Sequence, residues 1–350
     1  MNTIVAQMQA SQIKGAPKSW LRPESHYIEA MSNDWYRSLL VLQSDIAMAT
    51  EIFFRGKGMR STMMPITTTS ISSPMGLGSD SLPVEVEIAG KKTFLADSMQ
   101  FMLEYALRLC PKGVFYIMPS FRGEVHDWRH LNQFYHCEAE IQGGIEEVIG
   151  LVSEYIFFLT RELLERSGDA IRSMASKEPL HLTKFVNGNG EIPRIRFADA
   201  VAKLNMEPRF VERCPEGFLK ITNQGEQELI LLFDGPVWLT HMPALAVPFY
   251  QADDEIAAEY SRTADLLMGI GETVGAGERH KSADDVLNAL KRREVAAEDY
   301  DWYSTMKKVH PLHTSGFGLG VERYILWLIG HDDIRDCQIL PRLNGINVIP

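Results

Sequence analysis

The sequence predicts an α+β protein in which a mainly antiparallel sheet is flanked by helices. Strand-like segments cluster around helical ones without the regular β-α-β alternation of a parallel sheet. Within residues 114–141, two strand-like segments are joined by a polar connection, as in an antiparallel hairpin. With 350 residues, of which 45% are hydrophobic and 23% charged, the chain has the composition of a soluble globular protein.

The hairpin of residues 114–141 organises the rest of the sequence. VFYIM is a short β-branched and aromatic run, and a loop rich in charge follows it. On the second, half-buried strand, the alternate positions that face one side of the sheet hold Phe134, His136, Glu138 and Glu140. Together the hairpin offers a guanidinium for phosphate, a carboxylate for an exocyclic amine and an aromatic face for a purine. This stretch alone leaves two interpretations open, a nucleoside triphosphate site and an ordinary charged hairpin.

The first third of the chain predicts a tail, a long helix and a meander of strands. Residues 1–33 are expected to form a tail or arm, and helical spacing of apolar residues predicts a helix over 35–54, which ends at Gly56 and Gly58. MRSTMMPITTTS predicts an edge or interface strand because it contains Pro65. A glycine-containing loop (72–81), strands in VEVEI and KKTFLA, and a helix over 97–110 follow.

The remainder alternates between helices and strand pairs. A long amphipathic helix is predicted over Ile145–Arg166, and residues 167–230 are mixed. PVWLTHMP predicts a strand, and residues 261–279 a strand pair that bears Asp265, Glu272 and Arg279. Helices are predicted over 282–293 and 299–308. The segment SGFGLGVERYILWLIG then predicts a glycine-rich strand that leads into an apolar helix.

Charge and cysteine content disfavour several classes of function but do not exclude a large polyanionic partner. The net charge is −11 and the pI about 5.4, without the basic stripe that nucleic-acid binding usually needs. No secretory signal and no apolar run of membrane-spanning length are visible. The four cysteines are far apart and form no CxxC pair, which favours reduced thiols in a cytoplasm over a zinc site or disulfides.

Three stretches, in order, resemble motifs 1, 2 and 3 of the class II aminoacyl-tRNA synthetases. They are MRSTMMPITTTS, FRGE with RHLNQF behind it, and GFGLGVER. RHLNQFYHCEAE, ADLLMGIGETVGAGER and YDWYSTMKK are similar to the aspartate, asparagine and lysine branch, and most similar to asparaginyl enzymes. The resemblance spans about residues 34–342. It implies a class II synthetase-like antiparallel sheet flanked by helices, in one catalytic domain of residues 34–350 with an insertion near 167–230. It also implies a homodimer formed through motif 1.

The resemblance implies ATP and Mg²⁺ as ligands and assigns roles to individual residues. Arg122 would bridge the ATP α-phosphate and the substrate carboxylate and, with Arg323, would be catalytic. Glu124 would accept the adenine amine, and Phe134 would stack on the purine. His130 and Arg323 would contact the terminal phosphates. The other implied contacts are a magnesium ligand at Glu272 and an amino-acid pocket lined by Gln100, Glu104 and Arg279. Asp265 is left open as a metal ligand or an ordinary strand-end carboxylate.

Departures from the family pattern shape the expected reaction. The sequence leaves no room for an anticodon-reading barrel ahead of motif 1, and the 72–81 loop lacks the family's glutamate, with only Asp80 as a substitute. Leu103 stands where the aspartate enzymes of the family carry a lysine. Glu104 is a glutamate at the position where the asparagine enzymes also carry one.

We therefore expect an ATP-dependent, AMP-forming ligase that activates the β-carboxylate of aspartate and passes it to ammonia or another small acceptor. In this arrangement Arg279 and Glu104 would hold the substrate α-carboxylate and α-ammonium. The alternative is asparaginyl-tRNA synthetase-like charging of tRNA. A third hypothesis is a non-catalytic paralogue that binds an amino acid. It is disfavoured because Arg122, Glu124 and Arg323 are all retained.

Overall fold

A mainly antiparallel sheet runs through the centre of the protein, as predicted. The computed structural model describes residues 15–72 and 81–349. The strands in chain order are β1 (Arg60–Ser61), β2 (Thr67–Thr68), β3 (Val84–Ile88), β4 (Lys91–Leu95), β5 (Val114–Phe121), β6 (Gln133–Gln142), β7 (Arg194–Arg196), β8 (Val211–Arg213), β9 (Leu219–Ile221), β10 (Val237–Thr240), β11 (Thr263–Met268), β12 (Gly271–Glu278) and β13 (Thr314–Gly320). The central sheet has the order β1-β5-β6-β13-β12-β11-β10-β7. Only its outermost pairs, β1 with β5 and β7 with β10, are parallel.

Helices cover the sheet and connect its strands. They are α1 (His26–Ser32), α2 (Asp34–Gly56), α3 (Gln100–Leu107), α4 (Ile145–Arg166), α5 (Gly168–Met174), α6 (Leu180–Asn187), α7 (Phe197–Lys203), α8 (Asn223–Leu232), α9 (Ala283–Arg292), α10 (Asp301–Val309) and α11 (Val321–Ile329). The two long predicted helices are present as α2 and α4. Among the helices in the described segments, none has both the length and the apolarity to span a bilayer.

The main core lies between the sheet and the two long helices. Phe54, at the end of α2, places its ring centroid 4.8 Å from that of Phe115 on β5 and 4.8 Å from that of Tyr155 on α4. From β6, Cys137 and Ala139 enter this core. Because side chains alternate along a strand, the intervening residues face the other side of the sheet. That other side carries the polar site.

The predicted hairpin is formed by β5 and β6, and the glycine-rich strand β13 lies beside it. The hairpin register runs from Val114 opposite Glu140 to Phe121 opposite Gln133. On the other side of β6, Gly318 of β13 stands opposite Glu138. Motif 2 and motif 3 are therefore neighbours in the sheet, and the charged loop of residues 122–132 projects from its end.

Two local predictions were wrong in extent. The strand expected over MRSTMMPITTTS is broken into β1 and β2, which belong to different sheets, because Pro65 interrupts the segment. The helix expected over 97–110 is shorter, Gln100–Leu107. The amide of Met99 is instead engaged by Tyr116 and Glu138 across the sheet, at 2.8 and 3.1 Å.

The segment before α2 packs on the end of the chain. Trp20 Nε1 donates to Asp336 Oδ1 at 2.9 Å, and His26 Nε2 lies 2.7 Å from the carbonyl of Ile339. Part of the tail predicted over 1–33 lies outside the described residues. Residues 167–230 fold into short helices, β7 and a β8–β9 hairpin. A second apolar cluster, which includes Phe197, Leu229 and Leu239 of β10, joins this region to the sheet.

Candidate active site

A cleft of about 670 Å³ opens on the polar side of the sheet. Six of the predicted site residues line it, namely Arg122, Glu124, His130, Phe134, Glu272 and Arg323. They come from the hairpin β5–β6, from β12 and from the start of α11, which are far apart in sequence. The other three predicted residues, Gln100, Glu104 and Arg279, are buried beside the sheet.

Arg122 follows directly on β5 and points into the cleft. Its guanidinium carbon lies 5.5 Å from the ring centroid of Phe134. Its Nε is buried and has no hydrogen-bond partner within the described part of the chain. A buried N–H without an acceptor is costly, so an anionic group placed here would be bound strongly. Arg122 is therefore suited to an oxyanion of a ligand in this cleft.

Glu124 is held at the mouth of the cleft by the segment after the glycine loop. One carboxylate oxygen, Oε2, accepts from the amide of Leu82 at 3.1 Å. The amide of Gly123 donates to the carbonyl of Leu82 at 2.8 Å. The other oxygen of Glu124 can accept from a ligand amine.

The opposite end of the cleft combines cations with carboxylates. Arg323 donates to the carbonyl of Glu272 at 2.6 Å, and Arg129 pairs with Glu226 at 3.2 Å. Burial and the charge of Arg323 lower the pKa of His130, which favours the neutral ring near neutral pH.

Carboxylates crowd together beside these cations. Burial raises the pKa of Asp265 well above its ordinary value, and the nearby charges of Glu272 and Glu226 raise it further. Within the described ranges, no group of three or more His, Cys, Asp or Glu side chains is arranged to hold a metal ion by itself. A cation here would need oxygen atoms from a ligand.

Arg279 is buried and is bound by protein acceptors on nearly all sides. Its Nε and one terminal nitrogen (Nη2) donate to the two carboxylate oxygens of Glu140, at 3.1 and 3.0 Å. Nη2 also donates to Gln100 Oε1 at 3.1 Å, and Nη1 donates to Gln251 Oε1 at 2.8 Å. A guanidinium has five N–H groups, so these four bonds leave one N–H, on Nη1, for another acceptor.

Glu104 is bound inside the protein. Its carboxylate contacts Lys307 Nζ and accepts from the Tyr303 hydroxyl at 2.5 Å, and Arg108 lies 3.5 Å away. Burial is the largest effect and opposes ionisation, but the charge and hydrogen bond of Lys307, with the Tyr303 hydroxyl and the charge of Arg108, together outweigh it and lower the pKa of Glu104. We expected Glu104 to contact a substrate ammonium. In this structure the ammonium beside it belongs to Lys307, which the sequence did not identify.

The comparisons with known proteins agree with this geometry. The family model described as tRNA synthetases class II (D, K and N) matches residues 18–344 of this chain. The chain belongs to that family. The resemblance read from the three motifs is thereby confirmed.

Asparagine–tRNA ligases are among the relatives of this class II synthetase. It is similar to the enzyme of Koribacter versatilis, at 27% identity over 335 residues, which cover 90% of this chain and 72% of that one. It is also similar to the enzyme of Thermoplasma acidophilum, at 26% identity, covering 88% of this chain and 69% of that one.

Solved structures confirm the class II synthetase fold. Asparaginyl-tRNA synthetase from Pyrococcus horikoshii, complexed with asparaginyl-adenylate, matches with a TM-score of 0.83 at 24% identity, over 97% of this chain and 74% of that one. The asparaginyl-tRNA synthetase of Entamoeba histolytica, also with asparaginyl-adenylate, matches with a TM-score of 0.78 at 23% identity, over 94% of this chain and 71% of that one.

Among the charged cleft residues that the sequence did not assign to the site are Arg129 and Glu226. Arg129 and Glu226 line the cation-rich end and form an ion pair there. Glu226 lies in the mixed segment 167–230, where no motif marks it. Arg129 stands beside His130 in RHLNQF, and this run of basic residues was a signal that could have pointed to it.

The glycines of β13 leave room for the buried acids of the synthetase site. A Cβ on Gly316 would lie 2.5 Å from the backbone oxygen of Ala139 and would overlap a carboxylate oxygen of Glu140. We expect Gly316→Ala to lower the free energy of unfolding by about 1–3 kcal/mol. Gly320→Ala is the matched control on the same strand, since its Cβ would meet only side-chain carbons of Arg323, none nearer than 3.7 Å. Urea denaturation compares the two variants, and equal stability would show that β13 has no such constraint.

Proposed function

We propose that this class II synthetase uses ATP to activate an amino acid as an acyl-adenylate and releases pyrophosphate. The observation that carries the proposal is Arg122, which lies in the cleft against Phe134 and whose buried Nε has no partner within residues 15–72 and 81–349. In the reaction, a carboxylate oxygen of the amino acid attacks the α-phosphorus. The bond from that phosphorus to the bridging oxygen breaks, and pyrophosphate leaves. Arg122 would hold the two anions together against their repulsion.

The other cleft residues fit the remaining parts of ATP. Phe134 offers an aromatic face to the purine, and the free carboxylate oxygen of Glu124 accepts the adenine amine. Arg323 and His130 would contact the terminal phosphates. Glu272, with Asp265 beside it, offers carboxylate oxygens to Mg²⁺, which commonly binds one or two carboxylates together with phosphates. When bound, the ion would neutralise charge on the phosphates.

We propose asparagine as the amino acid. Arg279 has one N–H left and is neutralised by Glu140. One N–H suits the single oxygen of an amide, whereas a carboxylate is best held by two. The relatives named asparagine–tRNA ligase and the solved structures with asparaginyl-adenylate support the same substrate.

We propose tRNA as the acceptor, because the relatives are tRNA ligases. Amidation of aspartate by ammonia remains a prediction from the sequence. That prediction placed the α-ammonium of the substrate beside Glu104, whereas in the structure the ammonium of Lys307 lies there. A homodimer is a further proposal, which the fully exposed Met63 and the exposed Ile66 of the motif 1 segment support. Light scattering that gave only the 39.6 kDa monomer at micromolar concentration would contradict it.

The experiment is an amino-acid screen of ATP–pyrophosphate exchange with Mg²⁺. We expect exchange with asparagine and much weaker exchange with aspartate. A second arm supplies tRNA or ammonia as acceptor and identifies the product by mass spectrometry. Asparagine made from aspartate and ammonia, without charged tRNA, would overturn the choice of substrate and acceptor. Exchange with none of the amino acids would overturn the proposal as a whole.

A further inference from the structure

The loop that carries Arg122 and Glu124 is bound at its base by one side chain, Asn132. The backbone carbonyl of Asn132 accepts from the amide of Arg122 at 2.9 Å. Its side-chain Nδ2 donates to the carbonyl of Arg122 at 2.9 Å and to the carbonyl of Glu124 at 2.6 Å. Arg122 and Glu124, two of the loop residues that would bind ATP, are thus fixed through their backbones by the same residue.

Asn132 is in turn bound by the end of the chain. The amide of Asn344 donates to Asn132 Oδ1 at 2.6 Å. Because Nδ2 donates to two carbonyls and Oδ1 accepts from one N–H, the side-chain amide of Asn132 has a single favourable orientation. The side-chain oxygen of Asn344 also lies 3.2 Å from the amide and 2.7 Å from Nδ1 of His126, in the middle of the same loop.

The position of Asn344 is itself well fixed. It lies in a turn in which the amide of Ile346 donates to the carbonyl of Leu343 at 3.2 Å. Gly345 supplies the φ of +73° that such a turn requires. Leu343 is buried in the main core, and Val348 is buried further along. The turn 343–346 is therefore a rigid support, not a loose end.

We propose that Asn132 is a positioning residue for ATP activation, and that the turn 343–346 near the end of the chain anchors it. The proposal rests on the proposed function, because it acts through Arg122 and Glu124. Displacing a reacting group by about 1 Å costs on the order of 100-fold in rate. A loop with this many charges and no such anchor would spread over several positions. The C-terminal segment thereby takes part in setting the geometry of the cleft.

The test compares variants of the full chain. Asn132→Ala removes both donated bonds, and Asn132→Asp keeps the acceptor for Asn344 but sets a carboxylate against two carbonyl oxygens. Asn344→Ala removes only the contacts with His126. Asn347→Ala, an exposed residue of the same segment, is the control. We expect Asn132→Ala to raise the KM for ATP about tenfold in the exchange assay and to lower kcat. Asn132→Asp should be affected at least as strongly, Asn344→Ala less, and Asn347→Ala not at all.

Hydrogen exchange gives a readout that does not depend on activity. In Asn132→Ala, the amides of Arg122 and Gly123 should exchange faster, while those of α4 keep their protection. Unchanged protection at residues 122–124 would overturn the proposal, and so would a lower melting temperature with the KM for ATP unchanged. If the wild type shows no amino-acid-dependent ATP–pyrophosphate exchange, the proposed function has failed. Faster hydrogen exchange of the amides of residues 122–124 in Asn132→Ala would then still support the conclusion that Asn132 anchors the loop.

Discussion

Arg122→Ala should lower amino-acid-dependent ATP–pyrophosphate exchange by about 100- to 1,000-fold, the range found when one preorganised donor to a developing charge is removed. The fold should survive, because the Nε of Arg122 has no hydrogen-bond partner among the described residues and its guanidinium lies over the ring of Phe134. The measurement is the exchange rate at saturating ATP and amino acid, with circular dichroism to confirm the fold. Arg122→Lys should recover only part of the rate, since an ammonium lacks the planar fork of the guanidinium.

Arg37→Ala is a suitable control for this experiment. Arg37 is exposed on α2, where it pairs with Asp34 and donates to the carbonyl of Met31 at 3.5 Å. The Arg37→Ala variant should catalyse ATP–pyrophosphate exchange at the wild-type rate. If Arg122→Ala kept most of the wild-type activity, the assignment of the cleft to ATP would be wrong.

Arg279→Met should destabilise the protein by about 3–5 kcal/mol, the usual effect of leaving one partner of a buried ion pair uncompensated. Glu140 is fully buried, and Arg279 satisfies both of its carboxylate oxygens. Urea denaturation near neutral pH measures the loss. The double variant Arg279→Met with Glu140→Gln should recover most of the stability, because no charge is then left unpaired. A double variant no more stable than Arg279→Met would contradict this account of the pair.

The same two variants separate stability from recognition. The double variant should still show no measurable saturation with asparagine in the exchange assay, because the one N–H that Arg279 has left for a substrate is gone. Recovery of both stability and amino-acid affinity would show that Arg279 has only a structural role. The KM for ATP should stay near that of the wild type, since Arg279 lies outside the cleft lined by the proposed ATP-binding residues.

Much of the fold could be predicted because its signals are local. The apolar period of Ile145–Arg166 and the parity of Phe134, His136, Glu138 and Glu140 are set by a few neighbouring residues, and both elements form as expected. The strand predicted over MRSTMMPITTTS was wrong in extent because Pro65 interrupts it, and its two parts pair with β5 and β4, which a local pattern does not reveal. The six predicted residues that line the cleft lie in contiguous motifs, and for that reason the resemblance could bring them together.

The buried ion pairs could not be predicted, because their partners are distant in sequence. Glu104 pairs with Lys307 and accepts from Tyr303, which is 199 residues away, and Arg279 pairs with Glu140, which is 139 residues away. From the sequence, Glu104 and Arg279 stood as free charges available to a substrate. Their protein partners neutralise these charges, and on this basis we propose asparagine as the substrate. The contact between Asn132 and Asn344, which are 212 residues apart, was equally invisible.

Formation of an acyl-adenylate is the central claim, and isotope transfer tests it without knowledge of the natural acceptor. The wild-type enzyme is incubated with ATP, Mg²⁺, hydroxylamine and asparagine that carries oxygen-18 in its α-carboxylate. Attack of hydroxylamine on the adenylate breaks the bond between the acyl carbon and oxygen. We therefore predict asparagine hydroxamate together with AMP that contains one atom of oxygen-18. Formation of ADP, or of AMP without the label, would contradict the account.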